Sequence, residues 1–222
     1  MTKEEYNNTK ENVKKSYNIA AKNYHDLFNS EIDEHQYDRE LLDSFAASIL
    51  TNGKICDMGY GPSAQNAAYL FNKGYNVEGL DFSENCIANA SENHPEMKFH
   101  LMDMTKTSFK NEIFDGIISL YSLFHIPKEY QNEAILEYYR ILKPKGKLLI
   151  MNHEGNINQT FSEIWGHNNL MLFSNFSTEE EMKVLISKYF NILKIEKKPT
   201  YYGFPKDRII IIAEKKMFDS PT

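Results

Sequence analysis

The chain has 222 residues, 41 % of them hydrophobic and 25 % charged, with a formal net charge of −6. That composition suits a globular domain with room for a sizeable core, and its acidic balance argues against nucleic acid as a partner, which demands a basic face. No apolar run approaches the ~18 residues of a membrane span, no apolar leader follows Met1, and Cys56 and Cys86 form no disulfide framework, so a reduced, cytoplasmic protein with no membrane contact is expected.

Residues 4–15 are polar and predict a helix frayed at its start; Val13, Tyr17, Ala20 and Tyr24 then share one helical face. A second helix over 36–50 carries Tyr37, Leu41, Phe45 and Ile49 one turn apart, and Asn52-Gly53 stops it. Strand and helix then alternate. Strands are predicted at 54–58, 75–80, 97–101, 114–119 and 146–151, and helices at 63–73, 84–93 and 128–142, the last ended by Pro144-Lys145-Gly146. Such alternation predicts an α/β fold, a Rossmann-like doubly wound sheet of about seven strands, mostly parallel, with helices on both faces. Residues 153–176 show no period and read as a lid or substrate insertion. The capping box Ser177-Thr178-Glu179-Glu180 announces a helix over 178–188. Strands at about 190–197 and 207–214 complete the sheet, the last antiparallel. Three parts are expected: an N-terminal helical cap over residues 1–50, a core over 51–215 and a disordered tail over 216–222.

The first strand runs into Asp57-Met58-Gly59-Tyr60-Gly61-Pro62-Ser63-Ala64. Strand, glycine turn and helix form the nucleotide-cradling unit of an open α/β sheet, and Gly59-x-Gly61-x-x-Ala64 with Asp81 about 20 residues on fits a dinucleotide fingerprint. The glycines alone fit NAD and S-adenosylmethionine equally. Charge distinguishes the two. A pyrophosphate seeks bare N–H groups at a helix start and is repelled by a carboxylate such as Asp57; a sulfonium and an ammonium are suited by one. Asp81 and Asp103 end the next two strands, the first placed for ribose hydroxyls and the second for an adenine amino group.

With these residues the chain resembles the class I S-adenosylmethionine-dependent methyltransferases of the small-molecule type. Asp57, Gly59 and Gly61 match the family's first motif, with Ser63 where a third glycine is usual. Gly79-Leu80-Asp81-Phe82-Ser83 matches the ribose acid, Asp103-Met104 the adenine contact, and Phe114 to His125 the fourth motif. Leu142-Lys143-Pro144-Lys145-Gly146-Lys147-Leu148 matches a late L-K-P-G-G-K-L signature, with Lys145 replacing a glycine. Tyr17-x-x-Ala20-x-x-x-Tyr24 is similar to a helix that closes over the cofactor. The resemblance implies S-adenosyl-L-methionine as cofactor, S-adenosyl-L-homocysteine as product, and a cofactor site made of Tyr17, Tyr24, Asp57, Gly59, Tyr60, Gly61, Pro62, Asp81, Phe82, Ser83, Asp103, Met104, Ser119 and Leu120.

Methyl transfer from a sulfonium needs alignment of the acceptor first, and a base only where the acceptor holds its proton. His125 and His153, just past the fourth and fifth strands, are the candidate bases. Tyr121, His125, His153, Trp165 and Tyr202 are the candidate acceptor contacts, within an aromatic set that includes Phe124, Phe173 and Tyr201. No gathering of carboxylates predicts a metal, and no N-P-P-Y tetrapeptide predicts a nucleobase acceptor; Ser119-Leu120-Tyr121-Ser122 occupies its place. The expected partner is a small-molecule methyl acceptor. An NAD-dependent oxidoreductase and a catalytically silent S-adenosylmethionine-binding protein are the competing readings.

Overall fold

The computed structural model describes residues 1–49 and 52–217. Strand β1 (Lys54–Met58) is central. On one side lie β2 (Asn76–Asp81) and β3 (Lys98–Leu101), and on the other β4 (Phe114–Leu120) and β5 (Leu142–His153), all parallel. β8 (Phe190–Pro199) and β9 (Asp207–Lys215) extend the sheet to the order β3-β2-β1-β4-β5-β9-β8, in which β9 runs antiparallel to both neighbours. The predicted sheet is therefore present, with its reversed last strand.

Its strands read as continuous apolar runs because both faces are covered. In β5, Leu148 and Ile150 enter one core while Leu149 and Met151 enter the other; in β9, Ile209 and Ile211 alternate in the same way with Ile210. One core closes against α6 (Lys128–Ile141) and α7 (Glu179–Ser187) through Tyr138, Ile141, Met182 and Ile186. The other closes against α3 (Gln36–Ala47) and α4 (Gln65–Asn72) through Leu41, Phe45, Ala67 and Leu70. Each fully buried Leu or Phe contributes ~1.5–3 kcal/mol, so the period-2 pattern of the strands sets which face every strand-end side chain can reach.

Several boundaries differ from the sequence reading. The first helix, α1 (Lys3–Phe28), is not frayed at its start: Thr2 and Glu5 form a capping box that holds it from Lys3. A short α2 (Glu31–Glu34) follows. α3 ends at Ala47; the predicted end at Leu50, like the boundary at Thr51, lies outside the described residues. α4 starts at Gln65 because Ala64 has φ 46 and cannot belong to a right-handed helix. α6 stops at Ile141 and β5 begins at Leu142, with no intervening loop; Lys143 precedes Pro144, which disfavours helix there. α7 is capped by Thr178 with Glu181, one residue later than the predicted box. Within 153–176, β6 (Asn158–Phe161) pairs antiparallel with β7 (Leu172–Asn175). β6 was invisible because Asn158, Gln159 and Thr160 are all exposed and show no alternation. At the end of the chain, Lys216 N–H donates to the Tyr189 carbonyl, and residues 218–222 of the expected tail lie outside the described residues.

α1 crosses the carboxyl ends of the strands. It packs on β7 and on α5 (Glu84–Asn93). Asn18 fastens it: its Oδ1 accepts from Ser83 Oγ at 2.6 Å and from Asn85 N at 3.1 Å, while its carbonyl accepts from Asn85 Nδ2 at 2.7 Å.

Candidate active site

A deep cavity opens where the sheet order reverses, between the carboxyl ends of β1 and β4, which is where open α/β sheets bind ligands. Its empty space, open mouth included, is about 1230 Å³. The floor is the β1–α4 turn. Gly59 has φ 79, and a Cβ there would stand 2.7 Å from Ser122 Cβ and 2.8 Å from Met104 Cε, so no other residue fits. Gly61 has φ 66 with open space beside it, so its demand is conformational only. Gly59 N donates to the Leu80 carbonyl at 2.8 Å, which ties the turn to the end of β2.

Three carboxylates end successive strands. Asp81 Oδ2 accepts from Gly61 N at 3.1 Å, and its Oδ1 accepts from Ser83 N at 2.9 Å. Burial pushes its pKa up to about 6 despite these bonds. Asp57 is 2 % exposed beneath the turn; burial, with the charge of Asp81 beside it, pushes it up to about 8. Asp103 is held differently. Its Oδ2 accepts from Lys10 Nζ at 2.8 Å, and its Oδ1 from Thr105 N and Oγ1 at 2.8 and 2.7 Å. Burial raises its pKa, but these bonds outweigh that and hold it below the usual carboxylate range. Lys10 is the one lysine or arginine that lines the cavity among the described residues. At pH 7 the uncompensated negative charge of these three carboxyls is therefore that of Asp81, with Asp57 kept protonated by burial and Asp103 paired with Lys10.

At the other side of the turn, Tyr17 OH and His125 Nε2 lie 2.8 Å apart, and His125 Nδ1 lies 2.7 Å from the Phe173 carbonyl. A carbonyl only accepts, so Nδ1 carries the hydrogen and Nε2 accepts from Tyr17. Burial lowers the pKa of His125 to about 4, so the ring is neutral at pH 7. Tyr17 also meets Trp165 at 5.4 Å between centroids and Tyr24 at 6.2 Å.

A second chamber adjoins the first and shares Tyr17, Tyr24, Glu31, Tyr121 and His125 with it. Its further walls are Phe124, His153, Trp165, Phe176 and the β8–β9 connection with Tyr201 and Tyr202. His153 packs 4.8 Å from Tyr121, 4.9 Å from Phe124 and 5.0 Å from Phe176, and burial lowers its pKa to about 4. Tyr121 has φ 55 at the end of β4, a strained backbone of the kind found at functional sites. Beneath it Arg208, 2 % exposed, reaches Asp38 through Nη1 at 3.0 Å and Nη2 at 2.9 Å, Tyr121 OH at 3.2 Å and Tyr201 OH at 2.7 Å.

Of the residues proposed from sequence for a cofactor, Tyr17, Tyr24, Gly59, Tyr60, Gly61, Asp81, Phe82, Asp103, Met104 and Leu120 line the first cavity. Asp57, Pro62, Ser83 and Ser119 stand behind its wall. Ser83 caps α5 through Cys86 N at 3.1 Å. Ser119 joins a buried network in which its Oγ meets Ser122 Oγ at 2.9 Å and Tyr138 OH at 3.2 Å, and Ser122 Oγ donates to the Met58 carbonyl at 2.7 Å. Tyr121, His125, His153, Trp165 and Tyr202 all line the second chamber. Sequence reasoning missed Tyr6, Lys10, Glu31, Asp38, Gln65, Ser122 and Arg208. Tyr6 and Lys10 had a signal: they continue the α1 stripe of Val13, Tyr17, Ala20 and Tyr24 by steps of four and three. Glu31 and Arg208 had none.

The cleft thus lies over a glycine turn at the switch point of a doubly wound sheet. A methyltransferase-domain family model matches residues 56–150. The chain is 36 % identical over 118 residues to an uncharacterized protein of Haemophilus influenzae, covering 49 % of this chain and 45 % of that one. It is 26 % identical over 187 residues to phosphoethanolamine N-methyltransferase of Plasmodium falciparum, covering 76 % and 69 %. The chain spans about half the length of the first curated relatives it matches. In fold it is similar to a S-adenosylmethionine-dependent methyltransferase of Methanosarcina mazei, with a TM-score of 0.69 at 19 % identity over 78 % of this chain and 97 % of that one. Over residues 56–150 the chain is similar to the methyltransferase-domain family, and in sequence and fold it is similar to S-adenosylmethionine-dependent methyltransferases.

Proposed function

We propose that this chain transfers a methyl group from S-adenosylmethionine to a small organic acceptor. The observation that carries the reading is the Gly61 N–H: it is given to the Asp81 carboxylate at 3.1 Å, where a dinucleotide would need it for phosphate. Asp57, under the same turn and protonated at pH 7 by its burial, can ionise against an arriving cation, which a pyrophosphate would oppose. The Asp81 carboxylate accepts from the backbone N–H groups of Gly61, Ser83 and Phe82, and its two oxygens retain a lone pair for a ribose hydroxyl. Asp103, oriented by Lys10 and Thr105, stands with Met102 and Met104 for the adenine edge. Gly59, Tyr60 and Gly61 receive the methionine portion, under Tyr17 and Tyr24 of α1. Tyr17 and Tyr24 also face the second chamber, so the acceptor meets the cofactor cavity at α1.

The cofactor supplies an electrophilic methyl carbon on a sulfonium, so the chain has to align an acceptor and handle one proton. The Tyr17–His125 pair does the second. An acceptor hydrogen-bonded to the Tyr17 oxygen passes its proton there as the Tyr17 proton moves to His125 Nε2, and the Phe173 carbonyl keeps the opposite edge of the ring fixed. Burial lowers the ring's pKa to about 4, so it is unprotonated at pH 7 and free to accept, as a weak base that gives the proton up again readily. The relatives support a small acceptor: one is named for phosphoethanolamine N-methylation, and a solved structure of the same fold for N1-methylation of 1,6-didemethyltoxoflavin. Calorimetric titration with S-adenosylhomocysteine and with NADH tests the reading. Binding of the first and not the second is expected; binding of NADH alone overturns it.

A further inference from the structure

The second chamber has an unusual balance of groups. Its walls are aromatic faces, Tyr17, Tyr24, Tyr121, Phe124 and Trp165 among them, and a single carboxylate, Glu31, enters it from α2. Glu31 Oε2 accepts from Gln65 Nε2 at 3.3 Å, and Tyr202 OH lies against the same carboxylate. Among the described residues no lysine or arginine lines the chamber or forms an ion pair with Glu31. Arg208 is engaged with Asp38 below, and both histidines on the wall are held neutral by burial.

A carboxylate drawn into aromatic surroundings costs desolvation energy; Gln65 and Tyr202 recover part of it by hydrogen bonding, and a cation would recover more. The faces of tyrosine and tryptophan attract a cation as well, and Tyr24 stacks edge-on against Trp165 at 4.7 Å beside Glu31. A phosphate or carboxylate on the acceptor would find repulsion here and no partner.

The geometry points to an apolar amine as the methyl acceptor, its ammonium seated between Glu31 and the faces of Tyr24 and Trp165 and its nitrogen the atom methylated. This rests on the methyl-transfer reading above. An ammonium has no lone pair, so one N–H proton first passes to the Tyr17 oxygen while the Tyr17 proton passes to His125 Nε2. The freed lone pair forms the N–C bond as the C–S bond breaks, and the electron pair of that bond goes to sulfur. The positive charge moves from sulfur to nitrogen, and Glu31 faces a cation before and after.

The test uses the whole chain saturated with S-adenosylhomocysteine and two matched triplets of probes: phenethylamine, phenethyl alcohol and hydrocinnamate, then tryptamine, tryptophol and indolepropionate. Calorimetry should show at least one amine binding about tenfold tighter than its alcohol, with the carboxylate weakest. Glu31→Gln, nearly isosteric and still able to accept from Gln65, should bring that amine to within about twofold of the alcohol and leave S-adenosylhomocysteine affinity as it was. Alcohols binding as well as amines, no amine binding at millimolar concentration, or a preference that survives Glu31→Gln overturns the assignment. Loss of S-adenosylhomocysteine binding in Glu31→Gln also overturns it, because Glu31 would then serve the cofactor. Failure of the wild-type chain to bind S-adenosylhomocysteine strikes the methyltransferase reading instead.

Discussion

Replacing Asp57 by Asn should turn a pH-dependent stability into a flatter one. Asp57 is 2 % exposed, and burial with Asp81 nearby raises its pKa from 3.8 to about 8. The sign follows from where the proton sits. Below pH about 4 both folded and unfolded chains hold it, and the group has no effect on stability. Between about 4 and 8 the unfolded chain loses the proton and the folded chain keeps it, so stability falls by about 1.4 kcal/mol per pH unit. Above about 8 both are ionised and the loss is constant. From pH 5 to pH 7 the loss from this one carboxyl is on the order of 3 kcal/mol, a sizeable share of a domain's 5–15 kcal/mol. Asn keeps the shape and never ionises. Urea unfolding of both chains across this range should show the variant's advantage growing with pH and levelling near pH 8. Asp81, raised to about 6, titrates in both chains and largely cancels in the difference. An advantage constant with pH would mean that Asp57 is already ionised under the turn, and the reasoning from burial fails.

The other predictions concern the same cavity and one strained turn. At pH 7, S-adenosylhomocysteine binding to the wild-type chain should release close to one proton, which calorimetry in buffers of different ionisation enthalpy reads, and Asp57→Asn should abolish that release. Asp81→Ala should weaken S-adenosylhomocysteine by about 2–4 kcal/mol, the worth of one or two charged hydrogen bonds; unchanged affinity in a folded variant refutes the ribose role. Tyr17→Phe and His125→Ala should each lower kcat, and the double variant should lose little more than either single one, since the two act through one 2.8 Å contact. Full additivity would show that they act separately. Lys145 is exposed with φ 61, so Lys145→Gly should gain about 0.5–1 kcal/mol in urea unfolding; a loss would mean that the lysine side chain compensates for its backbone.

Much of the first cavity's lining was legible because its signals are local. Strand, glycine turn and helix follow one another within residues 54–73, and each strand-end acid is marked by the apolar run before it. Where neighbours in sequence compete, local reading slipped. Ala64 took the left-handed conformation that removes two residues from α4, and Thr178 rather than Ser177 became the cap of α7. The glycine missing at Lys145 left its trace as a positive φ on a lysine, where the pairing of β4 with β5 shifts register.

The sequence by itself determined the sheet, its two covered faces and the acidic ends of its first three strands, because hydrophobic period and turn chemistry act over a few residues. Only the tertiary structure decided the rest. Tyr17 and His125 stand 108 positions apart and Lys10 and Asp103 stand 93 apart, and such pairs leave no periodic mark. Tertiary packing also moved Asp57 and Ser119 behind the cavity wall and brought Glu31, unremarkable in a short polar helix, into an aromatic chamber that no lysine or arginine lines among the described residues. Burial is what gives a carboxylate its charge demand, and burial is a property of the folded chain alone.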